Sequence, residues 1–434
     1  MLTPAENALF AASCLTLCGL VSALAAPPPA NYDESKMPAY TLPDPLVFES
    51  GKAVAAAADW PRRRAEILRL LQDQMYGVMP ERPAARRTVT RESGPAFGGR
   101  ALRKQLRIWF AAEDKGPFID VLLYVPTAGR PAPAFVGLNF NGNHTVSADP
   151  AILLTESWVR EKNLTGKPAV NKGNRPTEES RGSDSEAWQA EYLVSRGYAL
   201  ATAYCGDIDP DFDDGFRNGV HALYPDAQSP RPGNAWGTIG AWAWGLSRIL
   251  DELQTEPAVD ARRVAVIGHS RLGKTALWAG ATDERFALVI SNNSGCGGAA
   301  LSKRIYGETI ANVAQNFPHW FCRNFYAYAN NEQALPFDQH MLLAAIAPRA
   351  VYAASAEEDR WADPKGEFLG LLHAAPVYTL LGAGGLPATE LPAVNHPVSG
   401  PRMGYHLRTG KHDVLRYDWE RYADFADRVF GRTP

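Results

Sequence analysis

The stretch Val264-Ala-Val-Ile-Gly-His-Ser-Arg-Leu-Gly-Lys274 constrains the fold more than any other part of the chain. Val264 to Ile267 is apolar and rich in β-branched residues, and reads as a buried parallel strand that Gly268 ends. From Leu272 onward, LGKTALWAGATD has helical spacing and composition. Ser270 therefore stands between a buried strand and a helix. A sharp turn there pushes a hydroxyl out of the sheet, and a helix N-terminus favours negative charge beside it. Gly268 lets the backbone turn, and Gly273 lets strand and helix approach. The usual form of this turn has Gly two residues after the Ser; here Leu272 stands there and Gly273 follows. The plain alternative is a βα turn with a surface Ser. The agreement of strand, turn and helix favours a nucleophile.

The rest of the sequence supplies the elements such a turn needs. Residues 60–77 read as an amphipathic helix with Pro61 near its start. Residues 101–111 and 119–125 alternate as outer antiparallel strands. APAFVGLNF, ending at Phe140, is a buried strand, and the turn Asn141 to Thr145 after it lies where a second oxyanion amide is expected. Residues 146–186 form a long polar insertion of the kind that is more often functional than inert. A helix over 186–196 and the strand GYALATAYC come next, then the acid-rich loop Asp207 to Asp214, which reads as a solvated or cap loop with no metal. GTIGAWAWGLSRILDEL is an apolar helix whose Trp residues belong in a core. After the Ser270 turn come the strand FALVISNN, a helical insertion over 299–335, a strand ending near Ala356, a helix, the short strand GYHLR and a terminal amphipathic helix. Strands alternating with helices imply an α/β-hydrolase: a doubly wound, mostly parallel sheet with helices on both faces and inserted loops.

Residues 8–26 are apolar and small, Ala23-Leu-Ala25 fits a peptidase site, and Pro27-Pro-Pro29 follows. This reads as a signal peptide over 1–26, although the start carries Glu6 and no cation. A single catalytic domain over 27–434 remains, secreted or periplasmic, with no stable membrane insertion. The formal net charge of -3 gives no basic footprint for nucleic acid. Cys205, Cys296 and Cys322 remain after the leader is removed. They allow at most one disulfide, or are three small buried hydrophobes.

In this fold the chain order is Ser, acid, His. His373 falls inside a helix face and reads as core. His406 alternates within a strand. His396 sits in a loop, and His412 in a turn between the last strand and last helix, where the fold delivers its base. His412 is favoured and His396 is second. The acid belongs after the strand ending near Ala356; Asp359 is the first Asp there, and Glu358 is its rival. Arg271 and Lys274 put positive charge at a helix N-terminus, where the dipole opposes it, and so suggest an anionic or polar ligand.

GHSRLGK, SNNSGCGGAALSKR, PFDQH, ASAEEDRWADP and GYHLRTGKHD together resemble the bacterial glucuronoyl esterases, a carbohydrate esterase family. The resemblance implies cleavage of esters between 4-O-methyl-glucuronate of xylan and lignin alcohols. A monomer without cofactors is expected. It makes Ser270 the nucleophile, Arg271 the oxyanion-stabilising residue, His412 the base and Lys274 a ligand of uronate hydroxyls. Glu308 and Trp361 match positions lining the uronate pocket; read without the resemblance, they are a surface helix residue and a loop-covering aromatic. Fungal members carry their acid where Asn293 stands here, some bacterial members where Asp359 stands, and fungal members have Cys in place of His269. An acetyl or feruloyl esterase on the same fold, or a non-catalytic carbohydrate-binding relative, are the alternative readings.

Overall fold

Ten strands join one sheet: β1 (Arg87–Ala96), β2 (Ala101–Trp109), β3 (Phe118–Pro126), β4 (Ala132–Asn139), β5 (Ala199–Tyr204), β6 (Val259–His269), β7 (Leu288–Asn292), β8 (Ala350–Ala356), β9 (Val398–Ser399) and β10 (Met403–Arg408). They come from a computed structural model, which describes residues 28–81, 83, 86–111, 114–129, 131–161, 171–224 and 230–432. The segment read as a leader lies outside the described residues. The spatial order is β1-β2-β3-β5-β4-β6-β7-β8-β10-β9. β5, β4, β6, β7, β8 and β10 are parallel to one another, while β1 to β3 and β9 pair antiparallel. The chain winds from β4 outward to β5, then returns past β4 to β6. A doubly wound sheet opens a crevice at such a reversal, beyond the carboxyl ends of its strands.

The period-2 pattern of β6 decides how the two faces are covered. Val264 and Val266 enter one core and Ala265 and Ile267 the other. The helices Thr238–Leu253, Arg271–Thr282 and Pro364–Leu380 cover the first face, with Trp242 and Trp244 inside its core, and Arg416–Val429 covers the second with Trp419 and Tyr422. This is the expected α/β-hydrolase layering.

Several local expectations change. Gly268 does not end the strand: β6 runs through it to His269, and the positive φ falls on Ser270 instead. The first helix stops at Leu71, and a wider turn over Gln72–Tyr76 carries the chain to Gly77. The 186–196 helix is two pieces, because Gln189 takes a left-handed conformation at φ 48°. β1 went unread because RTVTRESGPA has almost no apolar face at the edge of the sheet. His373 is exposed rather than in the core: it faces outward from the helix Pro364–Leu380. Cys205, Cys296 and Cys322 are free and buried.

A Cβ on residue 268 would lie 1.8 Å from the Leu272 carbonyl oxygen. Gly268→Ala is therefore expected to destabilise the fold by at least about 3 kcal/mol, read as a shift in urea midpoint. An unchanged midpoint would mean that the turn can relax.

Candidate active site

Ser270 lies at φ 58°, ψ -129°, a conformation a non-glycine residue holds only when its surroundings impose it. They do so from both sides. The Ser270 amide donates to the Asn292 carbonyl of β7 at 2.9 Å, and the Ser270 carbonyl accepts from the Gly273 amide at 2.8 Å. A Cβ on Gly273 would come within 3.0 Å of Ser294 Cβ, so the close approach expected there is real. The helix begins at Arg271, whose amide belongs to the first turn, which no intrahelical carbonyl satisfies.

His412 arrives in the turn after β10. Its Nδ1 lies 2.6 Å from Asp359 Oδ2. Burial pushes the Asp359 carboxyl upward, but the His412 hydrogen bond and charge and a 2.7 Å hydrogen bond from Asn293 Nδ2 hold it below its ordinary value. An ionised carboxylate only accepts, so Nδ1 carries the hydrogen and Nε2 is left for the site. The residue at the alternative acid position, Asn293, thus holds the Asp359 carboxylate. Glu358 is exposed; its amide donates to Gly410 O at 3.0 Å and ties the acid turn to the base turn. His396 is exposed; its Nδ1 meets the Val394 carbonyl at 2.9 Å and its amide donates to the Ala393 carbonyl. His406 is fully buried between Asp418 at 2.8 Å and Tyr352 at 3.0 Å, so both its nitrogens are occupied in the core.

The ring of His412 packs 4.4 Å from that of His269, the residue before Ser270. Base and elbow therefore share the carboxyl edge of β6. His269 is pushed down to about 3, first by burial and then by His412, and its Nδ1 meets Asn292 Oδ1 at 2.6 Å. It is a neutral wall for the base. Among the described residues, Ser270 Oγ makes no hydrogen bond, and catalytic hydrogen bonds often tighten only with substrate bound.

Arg271 and Lys274 each have a carboxylate of their own, so of the anionic or polar ligand expected for them, their charge no longer calls for an anion. Arg271 Nη1 is paired with Asp211. Asp211 also accepts from Trp320 Nε1 at 2.9 Å and lies 3.0 Å from His319 Nε2. Burial opposes its charge, yet Arg271 and these donors hold the Asp211 carboxyl well below the usual carboxylate range. The acid-rich loop is thus solvated only in part: Asp207 and Asp209 are buried, Asp211 is half-buried and bonded to Arg271, and Asp213 is exposed. Arg160, from the polar insertion, reaches Asp211 at 3.5 Å. The Arg271 guanidinium lies 4.6 Å from the Trp320 ring, and its Nε is buried without a partner among the described residues. Lys274 Nζ donates to Ser294 O, Cys296 O and Glu308 Oε2, at 2.8, 2.7 and 2.9 Å.

Glu308 lies in a loop rather than on a surface helix, with its side chain only 8% exposed. Its amide donates to Trp361 O at 2.9 Å, and the Trp361 ring is left exposed. The residues read as a pocket are therefore neighbours. In the turn Asn141 to Thr145, the Gly142 amide is spent on Asn139 Oδ1 at the end of β4 and the Thr145 amide on Gly142 O; what reaches the site is the ring of Phe140, just before the turn, 6.0 Å from Arg271.

Four supporting residues gave no signal in the sequence. Glu367 is buried under the loop after β7 and accepts from the Ser294 and Gly295 amides at 2.6 and 3.1 Å. His319 and Trp320 lie in a stretch read only as inserted helix. Arg408, 2% exposed, holds the turn that carries His412: Nη1 donates to Thr409 O, Nη2 to Lys411 O and Asp413 O, and Nε to Asp418.

A strained Ser between a parallel strand and a helix, with a His–Asp pair delivered to the same sheet edge, defines the α/β-hydrolase class. Comparison narrows the class. A family model described as "Glucuronyl esterase, fungi" matches residues 222–382. Carbohydrate esterase MZ0003, from an unknown prokaryotic organism, is 50% identical over 401 residues, which is 92% of this chain and 91% of that one. The 4-O-methyl-glucuronoyl methylesterase 1 of Wolfiporia cocos (strain MD-104) is 30% identical over 80% of this chain and 74% of its own. Among solved structures, a promiscuous CE15 esterase from a marine bacterial metagenome matches with a TM-score of 0.87 at 49% identity, over 92% of this chain and all (100%) of that one. The glucuronoyl esterase from Solibacter usitatus matches at 0.86 and 45%, with the same coverage of 92% and 100%. The chain belongs to carbohydrate esterase family 15, the glucuronoyl esterases, and is a carboxylic ester hydrolase.

Arg408→Lys keeps the charge but cannot hold three carbonyls and a carboxylate. We expect kcat to fall by up to about 10²-fold with KM little changed; an unchanged kcat would show that the turn holds itself. Because the Asp211 carboxyl is lowered on folding, its contribution to stability is complete above its unfolded value, about 3.9, and is lost as pH falls through the lower folded value. The stability gap between wild type and Asp211→Asn in urea melts should be full at pH 7 and shrink below about pH 4. A gap that widens on acidification would contradict the pairing.

Proposed function

We propose that this glucuronoyl esterase works through a Ser270–His412–Asp359 triad. Ser270 Oγ attacks the carbonyl carbon of a glucuronate ester while His412 Nε2 takes its proton. Asp359 stabilises the imidazolium. The tetrahedral oxyanion is met by the Arg271 amide and guanidinium, whose buried Nε is free to donate. Collapse breaks the bond to the alcohol, which leaves with the proton from His412. Water, deprotonated by His412, then attacks the uronyl–Ser270 ester and restores the hydroxyl. Lys274 and Glu308 hold the uronate hydroxyls, and Trp361 packs against the sugar. The chemistry is complete with these residues and water.

The observation that carries this reading is the 2.6 Å His412–Asp359 contact beside the elbow residue His269. The family's named activity supplies the uronate. For the physiological setting, we propose a monomer of one catalytic domain over 27–434, exported by the 1–26 leader and acting on the ester between glucuronoxylan and lignin alcohols. The apolar leader sequence supports export; no helix among the described residues is long and apolar enough to cross a membrane.

Ser270→Ala should abolish hydrolysis of benzyl glucuronate, a fall in kcat of at least about 10⁴-fold, with the circular dichroism spectrum intact. Surviving activity would rule out the nucleophile. Asp359→Ala should cost on the order of 10⁴-fold and Glu358→Ala almost nothing; the reverse would move the acid. The 49% identical marine relative is described as promiscuous, which favours a second reading with a wider ester range. On a panel of acetyl, feruloyl and methyl glucuronate esters, preference for the uncharged acyl groups would establish that second reading.

A further inference from the structure

None of residues 28–40 is buried, yet residues 31–34 are pinned in place. The Gly307 amide donates to Asn31 O at 2.9 Å, the Tyr306 hydroxyl donates to Tyr32 O at 3.3 Å, and Arg360 donates to the same carbonyl. Arg304 Nη2 donates to Glu34 Oε1 at 2.6 Å. Ordering a chain costs backbone entropy, and here no buried side chain offsets it. What the anchoring does achieve is to fix an exposed ring. Tyr32 is 40% exposed, with the Tyr306 ring edge-on at 6.1 Å and the Arg360 guanidinium 5.1 Å from its centre. Five large apolar side chains are exposed among the described residues, and two of them, Tyr32 and Trp361, lie on this one rim.

The rim continues the site in a definite direction. Lys274 meets Glu308 at 2.9 Å, the Glu308 amide meets Trp361 O at 2.9 Å, and Gly307, next in the chain, meets Asn31. Gly307 is tight against this surface: a Cβ there would lie 2.4 Å from Trp361 O. On the uronate placement proposed above, with the ester carbon at Ser270 and the hydroxyls on Lys274 and Glu308, the Trp361–Tyr32 rim would face the sugars to which the uronate is linked, and the alcohol would leave on the other side. Amphipathic rings held at fixed positions suit the apolar faces of pyranoses, whose hydroxyls stay wet.

We propose that Tyr32, steadied by Tyr306 and Arg360 and standing beside Trp361, forms a subsite for a pyranose of the glycan that carries the uronate. The inference rests on the uronate placement proposed above. The test compares wild type, Tyr32→Ala and Tyr32→Phe on three substrates: methyl glucuronate, benzyl glucuronate, and the benzyl ester of glucuronate carried on a xylo-oligosaccharide. For Tyr32→Ala, KM on the oligosaccharide ester should rise between about threefold and tenfold, with kcat unchanged. Both small esters should stay within about twofold, and Tyr32→Phe should behave as wild type, because the stacking face is kept. Equal losses on all three substrates, or no loss on any, would overturn the subsite. A changed ratio between benzyl and methyl esters would overturn it in favour of an alcohol-binding rim. Ser270→Ala, assayed alongside on benzyl glucuronate, reports on the nucleophile alone, so failure of the catalytic reading is visible separately.

Discussion

The left-handed backbone at Ser270 is the constraint on which the site is built. It carries a strain of about 1–3 kcal/mol, held by the sheet and by the absence of a side chain at Gly268. Because the turn is so sharp, the helix starts at once. Arg271 and Lys274 then fall one turn apart on its first face, and each is aimed at a different part of the chain. The positions of the Arg271 and Lys274 side chains therefore follow from one residue's φ and ψ.

The second organising fact is that the charges are compensated internally, in pairs recruited from distant segments. Arg271 has Asp211, Lys274 has Glu308 and Arg408 has Asp418, and the Asp359 carboxylate is hydrogen-bonded by the His412 ring. Buried charges are tolerable only when paired and hydrogen-bonded, and each of these pairs also ties one segment of the chain to another. The base turn is locked to β8 through Glu357 and Glu358, whose amides bond Arg408 O and Gly410 O. A preorganised site of this kind needs little reorganisation when charge develops on the substrate.

Much of this was legible in the sequence. Strand, turn and helix around Ser270 are written as local patterns, and chain order pointed to Asp359 and His412 ahead of Glu358 and His396; the structure brings the favoured two within 2.6 Å of each other. The expectations that failed are those that depend on contacts across the fold. The acid-rich loop looked solvated because its partners, His319 and Trp320, stand 108 and 109 residues away. Arg408 was invisible because an arginine at the end of a strand carries no sign that three carbonyls will wrap it. His373 has helical spacing that fits a core, yet the helix Pro364–Leu380 is apolar on most sides, so periodicity could not tell inside from outside. β1 escaped because an edge strand needs no apolar face.

The central claim is that one hydroxyl is made nucleophilic by the imidazole of His412. Covalent labelling with a fluorophosphonate, followed by peptide mass mapping, tests it most directly. The account predicts one adduct per chain on the peptide holding Ser270, loss of esterase activity in proportion to labelling, and no labelling of the His412→Ala variant. An adduct elsewhere, or full labelling of Ser270 without His412, would contradict it.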